Sequence, residues 1–83
     1  MLDETLKIAN RRTVGVKQTL RALEKKNVLL VYIAKDAEKH VLSPVLEESQ
    51  KQGVEVREVS TMKELGKGCG IEVGAAVAAL LKE

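Results

Sequence analysis

Apolar residues along the chain fall into a few patterned stretches. Val28-Leu29-Leu30-Val31-Tyr32-Ile33-Ala34 is an unbroken, largely β-branched run, which predicts a strand covered on both faces. Val54-Glu55-Val56-Arg57-Glu58-Val59 alternates apolar and polar, which predicts a strand with one face in solvent. Val16, Leu20 and Leu23 stand at i, i+4 and i+7 and share one stripe of a helix that opens after Gly15. At about 100° per residue, Lys17, Gln18, Arg21 and Lys25 fall on the other side of it, and Asn27 fits its end. Leu2, Leu6, Ile8 and Ala9 predict a first helix over residues 2–10. Ser43-Pro44 reads as the N-cap and first-turn residue of a further helix, which runs to Gln52 and is ended by Gly53. Thr61-Met62-Lys63-Glu64 has capping-box spacing and opens a short helix that stops near Gly66 or Gly68. Residues 74–81 are open: alanine propensity favours helix, while a short stretch apolar on both faces suits an interior strand. Strands alternating with helices predict one domain over residues 1–83 with a three-layer α/β/α arrangement.

Composition narrows the function. An 83-residue chain with 45% apolar and 31% charged residues has the make-up of one soluble globular domain. Cys69 is the single cysteine, so no intramolecular disulfide forms, and residues 1–12 lack the apolar run of a secretory leader. Both predict a reducing, cytoplasmic setting. The longest apolar runs, 28–34 and 74–81, are too short to span a bilayer. The net charge of +2 is unevenly spread. Residues 1–26 carry seven basic against three acidic side chains, a balance of +4, and the remainder carries seven against nine, a balance of −2. A basic end on an acidic body suggests a polyanion-binding face.

Other chemistry is sparse. His40 is the single histidine and has no cysteine cluster or carboxylate partner in its turn, so neither a metal site nor a cofactor is expected. Cys69 has no activating base nearby and reads as a small apolar filler, so no catalysis is expected. Glu47, Glu48, Glu55 and Glu58 read as solvated faces, and Tyr32 as core. With one aromatic residue in the chain, stacking of bases on aromatic side chains is excluded.

Two stretches stand out. In Thr13-Val14-Gly15-Val16-Lys17-Gln18-Thr19-Leu20-Arg21 a helix begins just after a glycine, and its first exposed side chains are donors. A helix N-terminus carries unpaired N–H groups and partial positive charge, and glycine permits close backbone approach. Lys17 and Arg21 supply charge, while the Gln18 amide both gives and accepts, as the reading of a base edge requires. In Leu65-Gly66-Lys67-Gly68-Cys69-Gly70-Ile71-Glu72-Val73-Gly74, four glycines predict a flexible loop. Ile71 and Val73 within it either form an apolar platform for a partner or an unstacked base, or tuck into the core. No Gly-x-x-x-x-Gly-Lys-Ser/Thr occurs, so this is not a phosphate-binding P-loop.

At these stretches the sequence resembles the kink-turn RNA-binding ribosomal proteins, the seven-Ae / thirty-e superfamily of the large subunit, and among them the short bacterial ribosomal-protein-like members. The resemblance is carried in order by Gly15 to Leu23, by Val31-Tyr32-Ile33-Ala34-Lys35-Asp36-Ala37, and by Met62 to Ile71. It implies an α/β/α sandwich with a central four-stranded mixed sheet, whose first strand lies at 13–15 and whose last lies at about 76–81. It also implies a partner: structured RNA containing a kink-turn with tandem sheared G·A pairs, with the ribosome as a candidate host. By the same resemblance, Lys17, Gln18 and Arg21 read the purines and Gly15 and Val16 allow backbone approach. Gly70, Ile71, Glu72 and Val73 meet looped-out nucleotides, and Lys35 contacts the backbone. The chain would be a non-catalytic monomer with no small-molecule substrate and no membrane partner.

The sequence departs from the family in three places. Lys17-Gln18 stands where archaeal members carry Asn-Glu, which replaces a charged acceptor by a neutral one and adds a cation. Glu72 sets an acid beside the RNA. Ala37-Glu38 follows where the family has proline. The alternative reading is a protein-interaction or structural subunit of the same fold with only generic RNA affinity.

Overall fold

The computed structural model describes residues 4–8 and 11–82. The elements are a 3₁₀ turn (Glu4–Lys7), β1 (Arg12–Val14), α1 (Val16–Glu24), β2 (Val28–Ala34), α2 (Lys39–Gln52), β3 (Glu55–Val59), α3 (Met62–Gly68) and β4 (Val77–Leu81). The strands form one mixed sheet in the order β1-β4-β2-β3. β4 is antiparallel to both its neighbours, and β2 is parallel to β3. This is the expected α/β/α sandwich with a four-stranded mixed sheet.

Each face of the sheet buries its own core. Leu30, Tyr32 and Ala34 of β2 with Ala78 and Leu80 of β4 meet Leu65 and Cys69 of α3 and Leu6 of the 3₁₀ turn. Val31 and Ile33 with Val77 and Ala79 meet Ala22 and Leu23 of α1 and Leu42 and Val45 of α2. The period of two across β2 breaks once. The register with β4 slips between Val28 and Leu30, so Leu29 is an extra, bulged residue. Val28 thereby turns onto the α1/α2 face, and Leu29 is left 61% exposed in an otherwise buried run.

β4 resolves the ambiguity of residues 74–81 in favour of a strand. It lies inside the sheet with a helical layer on either side, so its residues must be apolar in both directions. Ala78 and Ala79 are small enough for close packing there, and this burial outweighs alanine's helix preference.

Three expectations are corrected. The helix over residues 2–10 is a single 3₁₀ turn, Glu4–Lys7; residues 2, 3, 9 and 10 lie outside the described residues. So short a segment does not meet the cost of helix nucleation by itself. It is held by buried Leu6, whose carbonyl accepts from Arg12 Nε at 2.9 Å. α2 begins at Lys39, not after Ser43, with Glu38 at the cap position. Pro44 is tolerated inside it because both His40, whose carbonyl loses a partner, and Pro44 face solvent. Ser43 Oγ donates to the Lys39 carbonyl at 2.9 Å and does not cap. The glycine-rich stretch is not a loop throughout: Gly66 and Gly68 belong to α3. Thr61 does cap α3, its hydroxyl accepting from Glu64 N–H at 3.0 Å.

All three helices end in one hydrogen-bond pattern, with a left-handed residue closing a pair of bonds as in a Schellman motif. In α2 the N–H groups of Gly53 and Val54 donate to Gln50 and Ser49, and in α3 those of Gly70 and Ile71 donate to Lys67 and Gly66. In α1 the donors are Lys26 and Asn27, bonded to Leu23 and Ala22. The left-handed residues are Gly53 (φ 69°), Gly70 (φ 76°) and Lys26 (φ 56°). Lys26 is the non-glycine among them.

Candidate nucleic-acid interface

The sheet topology decides which loops meet. β1, β2 and β3 run the same way and β4 runs against them, so the C-terminal ends of three strands share one edge with the start of β4. Gly15 N–H donates to the Val77 carbonyl at 2.7 Å and Ala34 N–H to the Ala76 carbonyl at 2.9 Å. These bonds bring together the start of α1, the Lys35 turn and the segment leading into β4. Residues far apart in sequence, the start of α1 after Gly15, Lys35 and the residues leading into Val77, therefore border one end of the sheet, whereas Gly70 closes the far end of α3, where its nearest neighbour is Lys7.

Gly15 turns the chain from β1 into α1 at φ 96°, ψ 160°, a region that is essentially glycine's alone. No side chain caps the helix it opens, and no acidic residue lies in the first turn. The N–H groups of the first turn have no intrahelical acceptor and remain for a ligand. Lys17, Gln18 and Arg21 are exposed and Val16 is half-buried.

The rotation of α1 about its axis is set from beneath. Thr19 is fully buried, and its hydroxyl lies 2.7 Å from that of Thr13 on β1. Thr19 directly follows Gln18, so this bond aims the polar face outward. Sequence periodicity placed the face and missed its anchor, because a strand-to-helix hydroxyl pair leaves no local pattern.

The segment after α3 is folded back along that helix. Ala75 N–H donates to the Met62 carbonyl at 3.0 Å and Ile71 N–H to that of Gly66 at 3.1 Å. A Cβ on Gly66 would overlap the Val73 carbonyl oxygen, so this glycine is there for close approach and not for freedom. Gly70 serves the helix-ending turn. The two readings of Ile71 and Val73 divide: Ile71 is half-buried against the core, whereas Val73 is 71% exposed. Glu72 is exposed between them.

Met62 adds an apolar surface that sequence reasoning passed over. It is exposed and packs against Gly74, where an added Cβ would lie 3.2 Å from its own. An exposed methionine just after a helix cap was the available signal. Asp36 Oδ1 accepts from Met62 N–H at 2.8 Å, which ties the turn after β2 to α3. Lys35 is exposed at that turn and lines a recess with Ile33, Lys39, Leu42 and Glu58.

Chemically, this edge offers free helix N–H groups, two cations and an amide on α1, and aliphatic surface from Met62 and Val73. Reactive groups are elsewhere. Cys69 is buried under α3, and burial pushes its thiol up from the ordinary value while the Arg12 guanidinium pulls the other way. Among the described residues no cluster of His, Cys, Asp and Glu could hold a metal ion, and no helix is long and apolar enough to cross a membrane.

The edge defines a small α/β/α protein with a polar helix start set beside an aliphatic loop. Over residues 2–83 the chain belongs to the ribosomal protein L7Ae/L30e/S12e/Gadd45 family. It is 52% identical over 69 residues to an RNA-binding protein of Caldanaerobacter subterraneus subsp. tengcongensis, covering 83% of this chain and 84% of the relative. It is 47% identical over 82 residues to an RNA-binding protein of Halalkalibacterium halodurans, covering 99% and 100%. Its fold is similar to that of the Giardia lamblia 15.5kD RNA binding protein, with a TM-score of 0.87 at 21% identity, covering 96% of this chain and 68% of that one.

Proposed function

We propose that this chain is a non-catalytic RNA-binding protein that recognises and stabilises kink-turns. The observation that carries the reading is the uncapped α1 N-terminus, bearing Lys17, Gln18 and Arg21, at the sheet end where the segment following Gly70, Ile71, Glu72 and Val73 enters β4. Family membership and the RNA-binding relatives support it. Gln18 and Arg21 read purine edges. Lys17 and Lys35 hold phosphates, and Gly15 and Val16 admit the RNA backbone. Val73 supplies aliphatic surface to an unstacked nucleotide, with Met62 beside it. The protein stabilises the bent RNA by binding it better than the extended form.

A titration against three RNAs tests this: a kink-turn, the same RNA with its tandem G·A pairs replaced by Watson–Crick pairs, and a plain duplex. The expected result is tight binding to the first alone, with a log affinity against log salt slope of about −3 to −4. Arg21→Ala and Gln18→Ala should each weaken it by about 1–3 kcal/mol, the worth of a good base-edge contact. Equal, weak binding to all three RNAs would instead indicate a family fold with generic RNA affinity that serves as a protein-interaction subunit.

A further inference from the structure

At the opposite end of the sheet a second basic site is assembled from four segments. The ends of α1 and α2, the start of β2 and the end of β4 enclose a recess of about 260 Å³ lined by Lys26, Lys51 and Lys82, with Val28, Gln52 and Val54. The segments are fixed to one another. Gln52 Nε2 donates to the Leu23 carbonyl at 2.6 Å, and Lys82 N–H donates to the Asn27 carbonyl at 2.9 Å.

The acids nearest the recess among the described residues are engaged within the fold rather than paired with the lysines. Glu48 accepts from Gln52 Nε2 at 2.9 Å, and Glu55 is engaged by Arg57 at 2.8 Å. Glu24 is exposed at the end of α1 and forms no ion pair among the described residues. Lys26, Lys51 and Lys82 have no ion-pair partner among the described residues.

Lys26 gives an independent reason to regard the site as used. It occupies the left-handed closing position that α2 and α3 fill with glycine. Lysine is not among the residues that tolerate this conformation well. A strained residue held at such a position points to a use for its side chain.

We propose that this recess is a second contact for the phosphate backbone of RNA, so that one molecule engages two RNA segments at opposite ends of its sheet. Ammonium groups act as point charges suited to phosphate. The recess has no aromatic group, and its amide nitrogen is already committed within the fold, so the contact is independent of sequence. The inference rests on the chain being an RNA-binding protein and not on which RNA fold the front edge selects.

Residue-resolved NMR separates the two ends. Labelled protein is saturated with a short kink-turn RNA and then titrated with a plain RNA duplex of roughly twelve base pairs in about 50 mM salt, where backbone contacts are strong. The first addition should move amides in residues 15–21 and 70–74, and the second those of Lys26, Asn27, Lys51, Gly53 and Lys82. K26Q/K51Q/K82Q should lower duplex affinity by about ten-fold or more and flatten the salt slope by about 2 to 3, with kink-turn affinity held within about two-fold. Lys26→Gly should raise the urea midpoint while weakening duplex binding, an opposition that a purely structural lysine would not show. Absence of shifts at the second set of amides, or unchanged duplex binding by the triple variant, overturns the proposal. So does equal binding of inorganic pyrophosphate or poly-glutamate at the same recess. Shifts at the second set without the first would sink the kink-turn reading and leave this one standing.

Discussion

The buried hydroxyl pair beneath α1 allows a quantitative test of how the candidate interface is aimed. Thr13 and Thr19 are 7% and 0% exposed, with their oxygens 2.7 Å apart. Thr19→Val keeps the shape of the side chain and removes one hydroxyl, which leaves the other buried without its partner. An orphaned buried polar group costs about 1–3 kcal/mol, a large share of the roughly 5–10 kcal/mol total stability of a domain this size. The midpoint of thermal unfolding should fall by roughly 4–24 °C. In Thr13→Val/Thr19→Val neither hydroxyl remains to be orphaned, so the double variant should be less destabilised than the sum of the singles, with a coupling of about 1 kcal/mol or more. Urea denaturation of the four proteins measures all these terms. A single-variant cost below about 0.5 kcal/mol, or strict additivity in the double, would refute the reasoning. Thr19→Val should also weaken kink-turn binding, because α1 then lacks the bond that fixes its rotation.

Gly66→Ala should destabilise by about 2 kcal/mol or more, because the new methyl displaces the Val73 carbonyl and loosens the 71–76 segment; urea midpoints check this. Gly15→Ala should cost about 1–3 kcal/mol from the backbone alone, since no atom stands near its Cβ position, and a loss below about 0.5 kcal/mol would count against a strained N-cap. The buried thiol of Cys69 predicts an alkaline effect of defined sign. Its folded pKa is raised, so its contribution is full below the unfolded value of about 8.5 and is lost as pH rises through the folded one. Stability of the parent should therefore fall faster than that of Cys69→Ala between neutral and alkaline pH, and parallel curves would contradict it.

Much of the fold was legible in the sequence because its signals were local. The β-branched run of β2, the alternation of β3, the stripe on α1 and the Thr61 cap each report on their own residues. β4 was ambiguous because burial on both faces erases the alternation that marks a strand. The start of α2 was misplaced because its exposed first turn, Lys39 and His40, has no apolar pattern, and Pro44 looked like a beginning. At the candidate interface, Gly15 and the donors after it could be read directly. The division between half-buried Ile71 and exposed Val73 could not, and neither could the part played by Met62. Those depend on α3 meeting the 71–76 segment, a contact made possible by an absent side chain at Gly66.

The place of β4 bears on how the protein is made. It is the last strand among the described residues, yet it sits inside the sheet between β1 and β2. It contributes to the cores on both faces. A growing chain on the ribosome therefore has no complete core until residues 77–81 have left the exit tunnel, and until then β1 has no strand to pair with. Folding must follow synthesis of this region rather than accompany it, and a chain stopped at Gly74 should be protease-sensitive throughout.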